Sequence, residues 1–199
     1  MDWLEPVAVA TGIVSVYLQI KQNIWNWPIA LINVSLYFVV FREQKLYADM
    51  GLQVIYFVLS LYGWYEWLYG GKGKTELKVS RGNPRMALTL TTIGVVGVAI
   101  LGTVFARYTD AALPYVDSAT ATTSLIAQWM ITRKVLENWL VWIAVNVVYI
   151  GMFIFKHLYL TSGLYAGFFV LAVMGYLQWR KSYRAEFETA QLAGAPAAA

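Results

Sequence analysis

The sequence predicts an all-α integral membrane protein with seven transmembrane helices in a parallel 3+1+3 repeat. Three observations carry that prediction: an apolar composition, seven apolar runs parted by short polar breaks, and a three-span segment that occurs twice. Of 199 residues, 59% are hydrophobic and only 13% are charged, about half the charged share of a soluble domain. A spanning helix needs about 20 apolar residues, so this length holds seven with short connections.

The first run, 3–20, follows Met1-Asp2-Trp3-Leu4-Glu5. It lacks the basic flank and small-residue cleavage pattern of a secretory signal, so it is expected to stay in the mature chain. Lys21-Gln22-Asn23 separates it from the second run, 24–41, which carries Pro28, Asn33 and Tyr37. Beyond Arg42-Glu43-Gln44-Lys45 lies the third run, 46–69, with Asp49, Gln53, Tyr56, Ser60 and Trp64 on one helical face. The stretch 70–85 is basic and rich in glycine, and a fourth run, 86–106, follows it. The fifth, 118–132, is short and rich in Thr, Ser and Ala; such residues let helices approach closely, which predicts a place inside the bundle. Its polar positions are Thr120, Ser124 and Gln128. After Arg133-Lys134 comes the sixth run, 138–155, and after Lys156-His157 the seventh, 158–179. Residues 1–181 thus form a single transmembrane domain, built from triplets 3–69 and 118–179 around a linker helix 86–106. Residues 182–199 are expected to be a disordered cytoplasmic tail.

Charge sets the expected orientation. The net charge is +4, but the basic residues lie between apolar runs instead of forming one patch, so they read as topology signals and not as a nucleic-acid surface. Eleven Lys and Arg fall on one side of the seven spans and four on the other. The excess belongs to the cytoplasmic side, which places the N-terminus outside and the C-terminus in the cytoplasm. Cysteine is absent and His157 is the single histidine, so thiolate chemistry and a multi-histidine metal site are excluded, and no cofactor is expected.

A shift of 112 residues lays Lys21 on Arg133, Asn26-Trp27 on Asn138-Trp139, Leu46-Tyr47 on Leu158-Tyr159, Gly63 on Gly175 and Trp67 on Trp179. With one residue inserted, Asn33-Val34 meets Asn146-Val147. The odd fourth span returns the chain, so both triplets run the same way, as in the sugar-transporting SWEET proteins. Carriers place substrate where such repeats meet, near mid-membrane; the alternative is an old duplication that now serves packing alone.

Polar and aromatic residues mark faces that must turn inward. In the sixth span Trp139, Trp142, Asn146 and Tyr149 stand at i, i+3, i+7 and i+10. Together with Asn33, Tyr37, Gln53, Tyr56, Ser124 and Gln128 they are the candidate substrate-binding residues. An unsatisfied amide in hydrocarbon costs several kcal/mol, so each of these groups either bonds between helices or lines a wet cavity. Indole faces attract cations and stack on planar rings, which suits a flat, positively charged heterocycle. Trp3, Trp25, Trp67 and Trp179 lie near span ends, where membrane-interface anchors are expected.

The run from Thr132 to Trp142, with Asn146-Val147-Val148-Tyr149, resembles the PnuC family of nicotinamide riboside transporters. So do Asn33-Val34-Ser35-Leu36-Tyr37, Leu46-Tyr47-Ala48-Asp49, Tyr62-Gly63-Trp64-Tyr65-Glu66-Trp67, Asp117-Ser118 and Lys156-His157-Leu158-Tyr159-Leu160-Thr161. The likeness runs from about residue 10 to 180. It implies a multi-pass carrier of the bacterial inner membrane, a homotrimer, and paired substrate tryptophans at Trp139 and Trp142 with Asn146 along the same face. It also implies that a cytoplasmic kinase phosphorylates the imported vitamin and so drives net uptake. Thiamine, another cationic heterocycle, and riboflavin are the rival substrates within the wider family.

The acidic residues Asp49, Glu66, Asp117 and Glu137 fall near span ends and no Walker sequence is present, which predicts uncoupled facilitated diffusion. Rocking of one triplet on the other is the expected motion, with Pro28 either easing it or merely kinking the second span. A retinal protein would need a lysine deep in 158–179, and an enzyme would need a buried nucleophile and base; neither is present, so no enzymatic activity is expected. The remaining alternative is a structural membrane protein that binds no small molecule.

Overall fold

The structure is a computed structural model that describes residues 3–43, 47–109 and 113–192. Among them are seven helices: α1 (Leu4–Ile20), α2 (Asn26–Glu43), α3 (Tyr47–Tyr69), α4 (Pro84–Tyr108), α5 (Pro114–Thr132), α6 (Asn138–Phe155) and α7 (Tyr159–Leu192). Helices α4, α6 and α7 are each long and apolar enough to cross a membrane. The others are shorter or diluted by the polar residues whose faces the sequence marks.

Helix ends follow local chemistry. Asn83 caps α4 by accepting from the Met86 N–H at 2.7 Å, and Pro84 then takes the first helical position, where its missing N–H costs nothing. Pro114 opens α5 in the same way, so α4 and α5 begin earlier than the runs 86–106 and 118–132 suggest. Helices α1, α5 and α6 each close with a residue in the left-handed region: Gln22, Lys134 and His157. The following N–H reaches back five residues in each case, Asn23 to Leu18, Val135 to Met130 and Leu158 to Phe153, which satisfies carbonyls that would otherwise lack partners.

Packing puts α5 in the middle. It touches α3, α4 and α6, while α7 closes the other side against α1. Ser118, Thr120, Thr122 and Ser124 are buried along it, as their small size predicts. Helix α4 packs on α5 alone among the described helices and leaves Leu88, Ile93, Val95 and Ile100 exposed.

At one end the 70–83 segment lies across the α5–α6 turn. Ser80 donates its N–H to the Lys134 carbonyl at 3.0 Å and accepts from the Leu136 N–H at 2.8 Å. Glu137 pairs with Arg81 at 3.1 Å and accepts from the Gly82 N–H at 2.8 Å. Arg133 pairs with Glu66 at 3.1 Å.

Three expectations are corrected. Trp67 and Trp179 are not interface anchors: they are 1% and 0% exposed, in the core with Trp27 and Trp139, whereas Trp3 and Trp25 are exposed. The expected disordered tail is helical through Leu192 in α7; residues 193–199 lie outside the described residues. Pro28 is the third residue of α2, in the first turn, where its N–H would have no intrahelical partner, so it neither weakens nor kinks the span.

Candidate functional site

A cavity of about 420 Å³ opens between the two helical triplets, within the range of small-molecule sites. All ten candidate residues line it: Asn33 and Tyr37 from α2, Gln53 and Tyr56 from α3, Ser124 and Gln128 from α5, and Trp139, Trp142, Asn146 and Tyr149 from α6. Helical spacing explains the convergence, because residues three, four and seven apart share a face and each stripe is too polar to meet lipid.

The floor is aromatic. Trp27 meets Trp67 edge to face at 5.2 Å, Trp139 meets Trp179 the same way at 5.4 Å, and Trp67 and Trp179 touch at 5.9 Å. The Trp67 indole N–H donates to the Ile131 carbonyl at 3.0 Å and that of Trp179 to the Gln19 carbonyl at 3.1 Å. Trp27 and Trp139 face the cavity floor, and their own buried indole N–H groups have no protein partner; neither does the Ser124 hydroxyl. Buried donors of that kind are costly unless water or a ligand satisfies them.

Toward the other end stand Tyr37, Phe41, Tyr149 and Tyr165. The Tyr149 and Tyr165 rings lie 4.6 Å apart. The two asparagines divide their work. Asn33 donates to the Ala8 carbonyl at 2.6 Å and to Thr11 Oγ1 at 3.2 Å, so its amide nitrogen ties α2 to α1. Asn146 donates to the Trp142 carbonyl at 2.8 Å, one turn back on its own helix, which fixes the side chain and leaves its oxygen as an acceptor.

Sequence reasoning missed several lining residues. Trp27, Gln19, Asn26, Asp49 and Tyr165 all border the cavity. Trp27 was legible, since the shift of 112 lays it on Trp139. Asp49 belongs to the α3 stripe but sits in the first turn, and the cavity reaches far enough to include it. Tyr165 carried no signal, because it lies within an apolar helix and only the fold brings it against Tyr149. Among the described residues the lining contains no lysine, arginine or histidine, and Asp49 is its single carboxylate.

Comparison with known proteins gives matches to vitamin-type transporters. A family model described as "Nicotinamide mononucleotide transporter" matches residues 2–181. The chain is 30% identical to the nicotinamide riboside transporter PnuC of Escherichia coli (strain K12), over 92% of this chain and 87% of that one. It is 26% identical to the riboflavin/roseoflavin transporter RibM of Streptomyces davaonensis, over 98% and 92%. A crystal structure of the vitamin B3 transporter PnuC superimposes with a TM-score of 0.73 at 30% identity, covering 92% of this chain and 83% of that one.

Proposed function

The chain belongs to the nicotinamide mononucleotide transporter family, a family of multi-pass membrane proteins, and from that premise we propose that it carries nicotinamide riboside across the membrane by facilitated diffusion. The observation that carries the reading is the cavity: paired tryptophans, phenols and amides around a space with no basic side chain among the described residues. A mononucleotide brings a phosphate dianion, which such a lining has no cation to receive. A riboside brings a cationic ring for the indoles and hydroxyls for the amides. The PnuC relatives carry the riboside in their names, in keeping with this choice.

The parallel 3+1+3 arrangement is supported by contacts that repeat at a shift of 112. The bond from Trp67 to Ile131 maps onto that from Trp179 to Gln19, each triplet donating to the other, as a two-fold axis along the membrane normal requires. Gln22 and Lys134, the left-handed residues that close α1 and α5, are a further equivalent pair. The basic 70–83 segment and the α5–α6 turn lie at the tryptophan end, which we assign to the cytoplasm on the excess of positive charge. Assembly as a homotrimer, with the exposed apolar face of α4 against lipid or neighbours, rests on family resemblance. So does trapping of the imported riboside by a cytoplasmic kinase.

Titration of tryptophan fluorescence in detergent tests the substrate. Nicotinamide riboside should quench the wild type, and Trp142→Ala and Asn146→Ala should each weaken it about 3- to 30-fold, the size of one stacking or hydrogen-bond contact. Quenching by riboflavin alone would favour the reading that the RibM relative suggests; thiamine alone would favour the third vitamin. No quenching by any of the three would leave a structural membrane protein.

A further inference from the structure

Asp49 stands in the first turn of α3, one helical turn before Gln53 on the same face, and both line the cavity. Among the described residues that line the cavity it is the only carboxylate, and no described residue forms an ion pair with it. The neighbouring acid, Asp117, is already paired with Lys156 at 3.7 Å. The Tyr149 and Tyr165 phenols lie within its field, and Tyr37 and Phe41 line the same cavity; none supplies a charge to offset an anion. A carboxylate held in such surroundings is costly unless a cation approaches it.

We propose that Asp49 is the residue by which this carrier selects a fixed positive charge on its substrate. A pyridinium ring cannot donate a hydrogen bond through its quaternised nitrogen, so the protein can recognise that charge only through field and π-face. The tryptophans supply the π-face and would also stack on a neutral ring; Asp49 supplies the field, which a neutral ring does not feel. The same charge repels a substrate phosphate or carboxylate, so selection acts against anions as well as in favour of the cation. This assignment rests on the riboside reading of the cavity and names the feature of the riboside that the site reads.

The experiment compares two ligands that share a skeleton and differ in charge. Nicotinamide riboside carries the cationic ring, and its 1,4-dihydro form has the same substituents on a neutral ring. Isothermal titration calorimetry of the detergent-purified protein should give a ratio of about tenfold or more in favour of the cation, the size of one charge-assisted contact. In Asp49→Asn the ratio should fall to the roughly 2- to 5-fold preference that the indole faces alone give a cation, chiefly through loss of cation affinity. In Asp49→Glu, which restores the charge, the preference should return. A variant that has merely lost structure would weaken both ligands together and leave the ratio in place. If Asp49→Asn keeps the wild-type ratio, the assignment is overturned while the riboside reading stands; if the wild type binds neither ligand, the riboside reading itself fails.

Discussion

Gly63 and Gly175 are where single atoms decide packing. A Cβ built on Gly63 runs into the Trp27 indole, and one on Gly175 comes within 2.6 Å of the Trp139 ring; in each half the absence of a side chain lets a tryptophan lie flat on the facing helix. Gly63→Ala and Gly175→Ala should each cost about 1–3 kcal/mol by overpacking. Gly167, also helical, has nothing within 4 Å of its Cβ position, so Gly167→Ala should instead gain about 0.5–1 kcal/mol from helix propensity. Thermal unfolding in detergent would separate the three. Lys134 is the other residue with an unusual balance. It is 1% exposed, with its ammonium 4.5 Å from the Trp67 ring centre and 3.3 Å from the Glu76 carboxylate. Burial pushes its pKa below the usual 10.5, and Glu76 and Glu186 offset only part of that. The folded chain therefore releases this proton before the unfolded chain does. Stability contributed by the site rises as pH climbs through that window toward 10.5. Lys134→Met should flatten the rise, measured as the melting temperature across the alkaline range.

At the scale of elements, the four tryptophans join α2, α3, α6 and α7 beneath the cavity, and the bonds from Trp67 and Trp179 tie each triplet to the first helix of the other. Opening toward the basic end must break both bonds and part the rings. Trp67→Phe and Trp179→Phe keep the ring and remove the N–H, so each should ease opening by about 1 kcal/mol, or roughly fivefold. The chain contains no cysteine, so a lone Ser60→Cys on the cavity wall reports access without background. Its labelling by an impermeant thiol reagent from the basic side should speed up in both variants by similar amounts. Unchanged rates would place the gate elsewhere. The element scale is also where the sequence reads best. All seven helices stand where apolar runs predict them, because hydrophobic length and flanking charge are local properties. The early starts of α4 and α5, by two and four residues, come at Pro84 and Pro114, whose fixed φ suits the first helical position and which hydropathy does not register.

For the molecule as a whole, the prediction is uptake that stops at equilibration. Among the described residues the cavity offers Asp49 near one end and no histidine or second carboxylate to relay a proton. Proteoliposomes loaded with buffer should fill with nicotinamide riboside to the outside concentration and no further; accumulation above it that depends on an imposed proton or sodium gradient would show coupling. How much of this was readable in the residues follows a physical line. Composition and periodicity determined that the chain is an apolar bundle of seven helices and which helical faces are too polar for lipid, since each depends only on residues near one another along the chain. Whether those faces meet, and what stands between them, depends on helix azimuth and packing, and these are set by contacts across long separations. Only the tertiary structure could gather ten residues from four helices on one cavity. Only it could bury Trp67 and Trp179 where their place near span ends suggested interface anchors, add Tyr165 from an apolar helix, and leave Asp49 as the one charge among the described lining residues. The reason is that a side chain's neighbours along the helix fix its face, but only the opposing helix fixes what that face sees.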